Sequence, residues 1–146
     1  MAIEDDVRNL GRNPTLAALD PEALRQLAGY AETRILRNGE TLFRRDEPSD
    51  GGYVLVSGSI ALDPSDHGQA AQIVLPPTLI GDMALITKTR RPATAIAREP
   101  TTVLKISRVL FHRVLNESPR SAERLKRMLS GRLVQFLHEL DGLAKS

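Results

Sequence analysis

The chain has 146 residues, of which 41% are apolar and 26% charged, with a formal net charge of +2 and no cysteine. That balance suits one globular domain with a single core and excludes wholesale disorder, a disulfide framework and thiolate chemistry. The small net charge does not by itself imply nucleic-acid binding, and no run nears the roughly 20 apolar residues of a membrane span.

Residues 1–14 read as an N-terminal extension whose start, MAIEDDVRNL, is acidic and lacks the apolar run of a signal peptide. With the missing cysteines this fits a reducing cytoplasm. Leu16, Leu19, Leu24 and Leu27, with Ala23 and Ala28, fall at helical spacing, and Asp20-Pro21-Glu22 offers an N-cap, a proline at the first position and an acid behind it. A short leading helix follows from that pattern. From Thr33 the chain turns to short β-rich runs at Thr33–Leu36, Thr41–Arg44, Tyr53–Val56, Ser59–Leu62, Gln72–Leu75, Ala93–Ala97 and Val103–Ile106. Between them lie turn signals at Asn38-Gly39, Glu47 to Gly52, Ser57-Gly58 and Asp63 to Asp66. Regular turns between short strands predict a β-sandwich or barrel.

After Ser107 helical spacing returns in Val109, Leu110, Val114 and Leu115, stops near Asn116 and restarts at Ser118-Pro119 for a long final helix to about Leu143. Its apolar stripe, Leu125, Leu129, Leu133, Phe136, Leu140 and Leu143, must be covered, either by the chain's own core or by a second helix. Over its last part the 3-4-3 spacing matches a short helix–helix seam. The expected consequence is a homodimer with Leu129, Leu133, Phe136 and Leu140 at its interface.

The stretch that carries chemistry is IGDMALITKTRRPATAIA, Ile80 to Ala97. Gly81 lets the backbone approach a ligand closely, and Asp82 followed by Met83-Ala84-Leu85 opens a short helical turn, whose free N–H groups attract anions. The Asp82 carboxylate can accept from sugar hydroxyls, while the Arg91 guanidinium can pair two donors with two phosphate oxygens. A structural ion pair with a core acid is the other role open to Arg91. No nucleophile belongs to this set.

Ile80 to Thr94 resembles the phosphate-binding cassette of the cyclic nucleotide-binding domain family, whose usual form runs F-G-E-L/M-A-L, a short loop, then R-A/S-A-T. The frame RNGETLFRRDEPSDGGYVLVSGSIAL, Arg37 to Leu62, is similar to the same family's G-E-x-L/I and G-D/E-x-x-D-x-x-Y-x-L/V-x-x-G-x-V/I. Together the match covers about residues 15 to 140. The resemblance implies an α+β fold: an eight-stranded antiparallel β-roll, jelly-roll-like, at about 32–107, with a short helix before it and C-terminal helices at about 108–144, in a domain spanning 15–146. It also implies a regulatory signalling module of the catabolite activator or protein kinase A regulatory subunit type, not an enzyme. Arg91 would then bind the cyclic phosphate, Asp82 the ribose hydroxyl, Gly81, Met83 and Ala84 would shape the cradle, and Ala93 would supply an N–H, with Pro92 and Thr94 completing the set. In relatives the final helix both covers the base and pairs with its mate.

Three positions depart from the family pattern. Asp82 stands where Glu is usual, Pro92 where Ala or Ser offers an N–H to the phosphate, and Pro77 where a turn glycine is frequent. Relatives that favour cyclic GMP often have Thr directly after the arginine, and Pro92 has no hydroxyl, so cyclic AMP fits better than cyclic GMP. Two other readings remain: a ligand-free dimerisation or interaction module with a degenerate cassette, and part of a catabolite-activator-type transcription regulator lacking its DNA-binding domain. With no recognition helix in view, the chain by itself is expected to bind no nucleic acid, and its downstream partner would be another protein. His67, His112 and His138 lack an acid or second histidine at ligand spacing, so no metal and no catalytic residue is expected.

Overall fold

The computed structural model describes residues 2–65, 67–68, 70 and 72–128. Helix α1 (Ala2–Arg12), a 3-10 turn at Leu16–Ala18 and α2 (Pro21–Tyr30) precede eight strands: β1 (Glu32–Leu36), β2 (Thr41–Phe43), β3 (Gly51–Ser57), β4 (Ile60–Asp63), β5 (Gln72–Val74), β6 (Leu79–Ile80), β7 (Thr94–Ala97) and β8 (Thr101–Ser107). A 3-10 turn at Met83–Leu85 lies between β6 and β7; α3 (Arg108–Glu117) follows β8, and residues 119–128 form a further helix, α4. The strands make two antiparallel four-stranded sheets, in orders β1-β8-β3-β6 and β2-β7-β4-β5. The expected eight-stranded roll is present, as two sheets that do not close into one barrel.

Alternation along β3 and β8 sets the layering, because successive strand side chains point to opposite faces. Tyr53, Leu55 and Val103 join Phe43, Ile60, Val74, Ile80 and Ala95 in a core cluster that draws on both sheets. Val54, Leu104 and Ile106 face the other way, onto a cluster with Leu10, Leu16, Leu24, Leu27, Leu110, Phe111 and Leu125 of the helical layer. The first sheet is therefore covered on both faces, which is why its central strands read as continuous apolar runs. Leu10, Leu16 and Leu27 are fully buried, each worth roughly 1.5–3 kcal/mol in transfer free energy.

Three features differ from the sequence expectations. Residues 2–12, read as an extension, are helical: Ile3, Val7 and Leu10 stand at helical spacing, with Leu10 in the core and Val7 packed against it. Strand β6, Leu79–Ile80, absent from the seven runs read in the sequence, is only two residues long and follows Pro76-Pro77, too short for any alternation to register. Gly51 and Gly52 belong to β3 and not to the preceding turn: a Cβ on Gly51 would stand 2.1 Å from Ile106 O, and one on Gly52 would stand 3.0 Å from Gly81 O. They are glycines because backbone passes there on both sides.

The helix breaks at Ser118 as expected. Ser121, fully buried, accepts from Asp20 N at 2.8 Å, Ser118 Oγ bonds Ser121 Oγ at 2.8 Å, and Arg124 pairs with the Asp20 carboxylate. This clasp joins the start of α4 to the start of α2. Leu129, Leu133, Phe136 and Leu140 lie outside the described residues.

Candidate functional site

A cavity of about 700 Å³ opens between the second sheet and the segment 78–93. Phe43, Leu62 and Val74 give it apolar wall; Gly81, Asp82, Met83, Ala84, Arg91, Pro92 and Ala93 all line it. Seven of the eight residues singled out in the sequence thus share one concavity. Thr94 does not: it is buried at the start of β7, and its hydroxyl accepts from Arg45 N at 3.0 Å, a contact that holds the strand's entry.

Arg91 is only 4% exposed. Its guanidinium carbon lies 4.4 Å from the Phe43 ring centroid and 5.5 Å from that of Tyr53, and its Nη2 donates to Gly51 O at 2.8 Å. Among the described residues the nearest carboxylate oxygen, Asp50 Oδ1, is 4.0 Å away on a largely exposed side chain whose other oxygen accepts from Lys105 Nζ at 2.9 Å. An ion pair with a core acid is therefore not what holds Arg91. Burial pushes the guanidinium below its usual value; Tyr53 and Asp50 push back, and Arg108 adds to the lowering. The group stays protonated at neutral pH, since arginine does not lose its proton in proteins. The hydrogen bond from Lys105 holds the Asp50 carboxyl below its ordinary value, with burial opposing.

The glycine-acid turn sits against this arginine. Gly81 has φ +83, and a Cβ there would lie 2.7 Å from Arg91 Nη1. Asp82 caps the next turn, its Oδ1 accepting from Met83 N at 2.8 Å, while Ala84 N donates to Gly81 O at 3.0 Å. Two of the cradle's backbone donors are thus engaged inside the turn. Pro92 is exposed and offers no N–H.

The loop between β2 and β3 backs the cassette. Arg91 N donates to Glu47 O at 2.9 Å and Asp46 N to Arg91 O at 2.8 Å, while Ser49 N donates to Thr89 O at 2.9 Å. Ser49, Asp50, Phe43, Tyr53 and Arg108 all shape the site, and the candidate list drawn from the sequence contains none of them. For Ser49 and Asp50 a signal is at hand, since both lie in the stretch EPSDGG, which reads as a turn within the family frame without assigning either residue a role. Arg108 follows an ordinary helix cap and carries no local signal. Of the histidines, His67 is exposed in the β4–β5 loop, His112 Nε2 lies 3.2 Å from Ile86 O, and His138 falls outside the described residues.

A β-roll flanked by helices, with a glycine-acid turn and a buried arginine on one cavity, defines a ligand-domain architecture that known proteins share. The family model described as "Cyclic nucleotide-binding domain" matches residues 33–118, and the chain belongs to that family. It is 28% identical over 135 residues to the cyclic AMP receptor protein of Thermus thermophilus, covering 90% of this chain and 62% of that one. It is similar to the solved structure of a cyclic nucleotide-binding-like protein from Brucella abortus, with TM-score 0.69 and 40% identity over 77% of this chain and 98% of that chain. The N-terminal domain of a transcriptional regulator from Streptomyces coelicolor is also similar, with TM-score 0.77 and 31% identity over 92% of this chain and 95% of that one. The chain spans less than two thirds of the length of the first of its curated relatives, 62% for the Thermus protein and 20% for a mycobacterial one. Among the described residues no helix is long and apolar enough to cross a membrane.

Proposed function

We propose that the chain is a regulatory module that senses a cyclic nucleotide in this cavity, cyclic AMP in preference to cyclic GMP, and carries out no chemistry of its own. The observation that carries the reading is Arg91: a buried cation on the wall of a cavity, held from behind by a carbonyl and two aromatic faces and, among the described residues, with no carboxylate nearer than Asp50 at 4.0 Å. In this reading the guanidinium binds the cyclic phosphate, Asp82 holds the ribose hydroxyl from the lip of its turn, Ala93 offers its N–H, and the base rests on Leu62, Val74 and Met83. The preference for cyclic AMP rests on Pro92, which lacks the hydroxyl often found in relatives that take cyclic GMP, and agrees with the name of the Thermus relative. The module would act in the cytoplasm as a homodimer on another protein.

Calorimetric titration of the whole chain with both nucleotides tests this. Cyclic AMP should bind more tightly than cyclic GMP, and Arg91→Ala should abolish binding of both, because it removes the phosphate's charged partner. Absence of binding at millimolar nucleotide would put the ligand-free interaction module in first place. That second reading is favoured by Pro92 and by the Asp82 carboxylate, one oxygen of which accepts from the adjacent backbone N–H.

A further inference from the structure

Arg108 lies outside the cassette in sequence, at the first position of α3, yet its side chain reaches both walls that carry the cassette. Its Nε donates to Ala84 O at 2.8 Å, within the Met83–Leu85 turn. Its Nη2 donates to Ser49 O at 2.7 Å and to Ser49 Oγ at 3.0 Å, in the β2–β3 loop. Ser49 is itself buried and shares a hydroxyl–hydroxyl bond of 2.8 Å with Thr89, on the far side of the cassette loop. Backbone contacts fix the start of α3 to the same loop, with Arg108 N donating to Asp50 O at 2.7 Å.

We propose that Arg108, acting through Ser49, is the positioning residue of the cavity: it ties the Gly81–Leu85 turn to the loop behind Arg91 and so sets the separation between Asp82 and the guanidinium. A planar guanidinium can bridge two acceptors held by different elements, which an ammonium point donor cannot do as well. The turn it holds is a single 3-10 turn of three residues with poor intrinsic hydrogen-bond geometry; Leu85 anchors it in the core, and Arg108 is the side chain that ties its Ala84 carbonyl to the β2–β3 loop. The inference rests on the cyclic nucleotide reading of the cavity, and its own content is the geometry of two groups on that wall.

The test compares wild type, Arg108→Met, Arg108→Lys and Ser49→Ala at a temperature where circular dichroism shows all of them folded. In the absence of ligand, the amides of Ala84, Ile86 and Thr87, which bond within the turn, should exchange at least about tenfold faster in Arg108→Met, as expected for losing hydrogen bonds from a charged donor. Amides in β8 should be unchanged. Cyclic AMP affinity should fall about five- to fiftyfold in Arg108→Met and less in Ser49→Ala, with Arg108→Lys between wild type and Met. The Arg108 and Ser49 effects should be less than additive, because the two residues share contacts. Unchanged exchange in the turn overturns the inference, as does faster exchange with unchanged affinity, which would make Arg108 a purely structural tie. A wild type that binds no cyclic nucleotide overturns the ligand reading and this inference together, whereas a wild type and Arg108→Met that bind equally overturn this inference alone.

Discussion

Replacing Gly81 by alanine separates two costs that the structure places at one position. The first is conformational: at φ +83 an L-residue suffers a steric conflict worth roughly 1–2 kcal/mol. The second is contact. The new Cβ would lie 2.7 Å from Arg91 Nη1, so the guanidinium must move, and it has little room to do so with Phe43 at 4.4 Å from its carbon and Gly51 O at 2.8 Å from Nη2. Loss of that charged hydrogen bond adds about 1.5–3 kcal/mol, and the whole should be about 2.5–5 kcal/mol. Gly39 is the internal control: it has φ +87, yet nothing lies within 4 Å of its ideal Cβ, so Gly39→Ala should show only the conformational part. Urea unfolding of both variants measures the difference. In an Arg91→Ala background the contact disappears, and Gly81→Ala should fall back to the Gly39→Ala value. If Gly81→Ala costs no more than Gly39→Ala in the native background, Gly81 does not make room for the arginine and the account of the site's packing is wrong.

Three further outcomes are expected. Pro92→Ala should tighten cyclic AMP binding about five- to a hundredfold on titration by restoring a backbone donor beside the phosphate, with no gain in an Arg91→Ala background; an unchanged affinity would mark the cassette as a structural relic. Leu133→Glu with Leu140→Glu should convert a dimer to a folded monomer in sedimentation, and a monomeric wild type at about tens of micromolar, a working range for seams of this size, would refute the homodimer. Stability should fall as pH drops below about 4, the unperturbed carboxylate value, because Asp20, bonded by Arg124, and Asp50, bonded by Lys105, both titrate below their ordinary values in the folded state. Their contribution is present above the unfolded value and lost as pH falls through the folded one. Asp6, raised by burial and by Asp5, acts with the opposite sign, and both lowered groups are substantially solvated, so the slope should be shallow. Asp20→Asn together with Asp50→Asn should flatten it; an unchanged slope would refute the assignment.

The strands of the roll were legible because each central one buries a contiguous apolar run between glycine, proline and aspartate turns. Helix α2 announced itself through Asp20-Pro21, although Asp20 directs its carboxylate to Arg124 and not to its own helix. What stayed hidden was set by tertiary contact. Helix α1 is the exception: Ile3, Val7 and Leu10 stand at helical spacing, so its stripe is legible in the sequence even though the segment reads there as an extension. Gly51 and Gly52 looked like turn residues, since nothing local distinguishes a glycine demanded by a loop from one demanded by crowding backbone. Within the site, residue types and spacing disclosed Gly81, Asp82 and Arg91, but the aromatic backing of Phe43 and Tyr53 and the bridge from Arg108 join positions tens of residues apart, and no pattern along the chain links them.

The electrostatics of Arg91 are what support the proposal of an anion in this cavity. Desolvating a cation is costly unless opposite charge or hydrogen bonds replace the lost water, and protein interiors normally answer a buried arginine with a close carboxylate. Here the compensation is partial: one carbonyl at 2.8 Å, two ring faces, and a carboxylate at 4.0 Å that is also committed to Lys105. Because the guanidinium is already desolvated and fixed in direction, an anion arriving in the cavity meets a donor that needs little further ordering, and its interaction is less screened than at the surface. The same arrangement limits substitution. Lysine would keep the charge, but a single ammonium cannot cover the adjacent Phe43 and Tyr53 rings, donate to Gly51 O and present a fork to a phosphate at once. The geometry behind Arg91 therefore selects arginine for its shape as much as for its charge, and the absent side chain of Gly81 is what lets that shape fit.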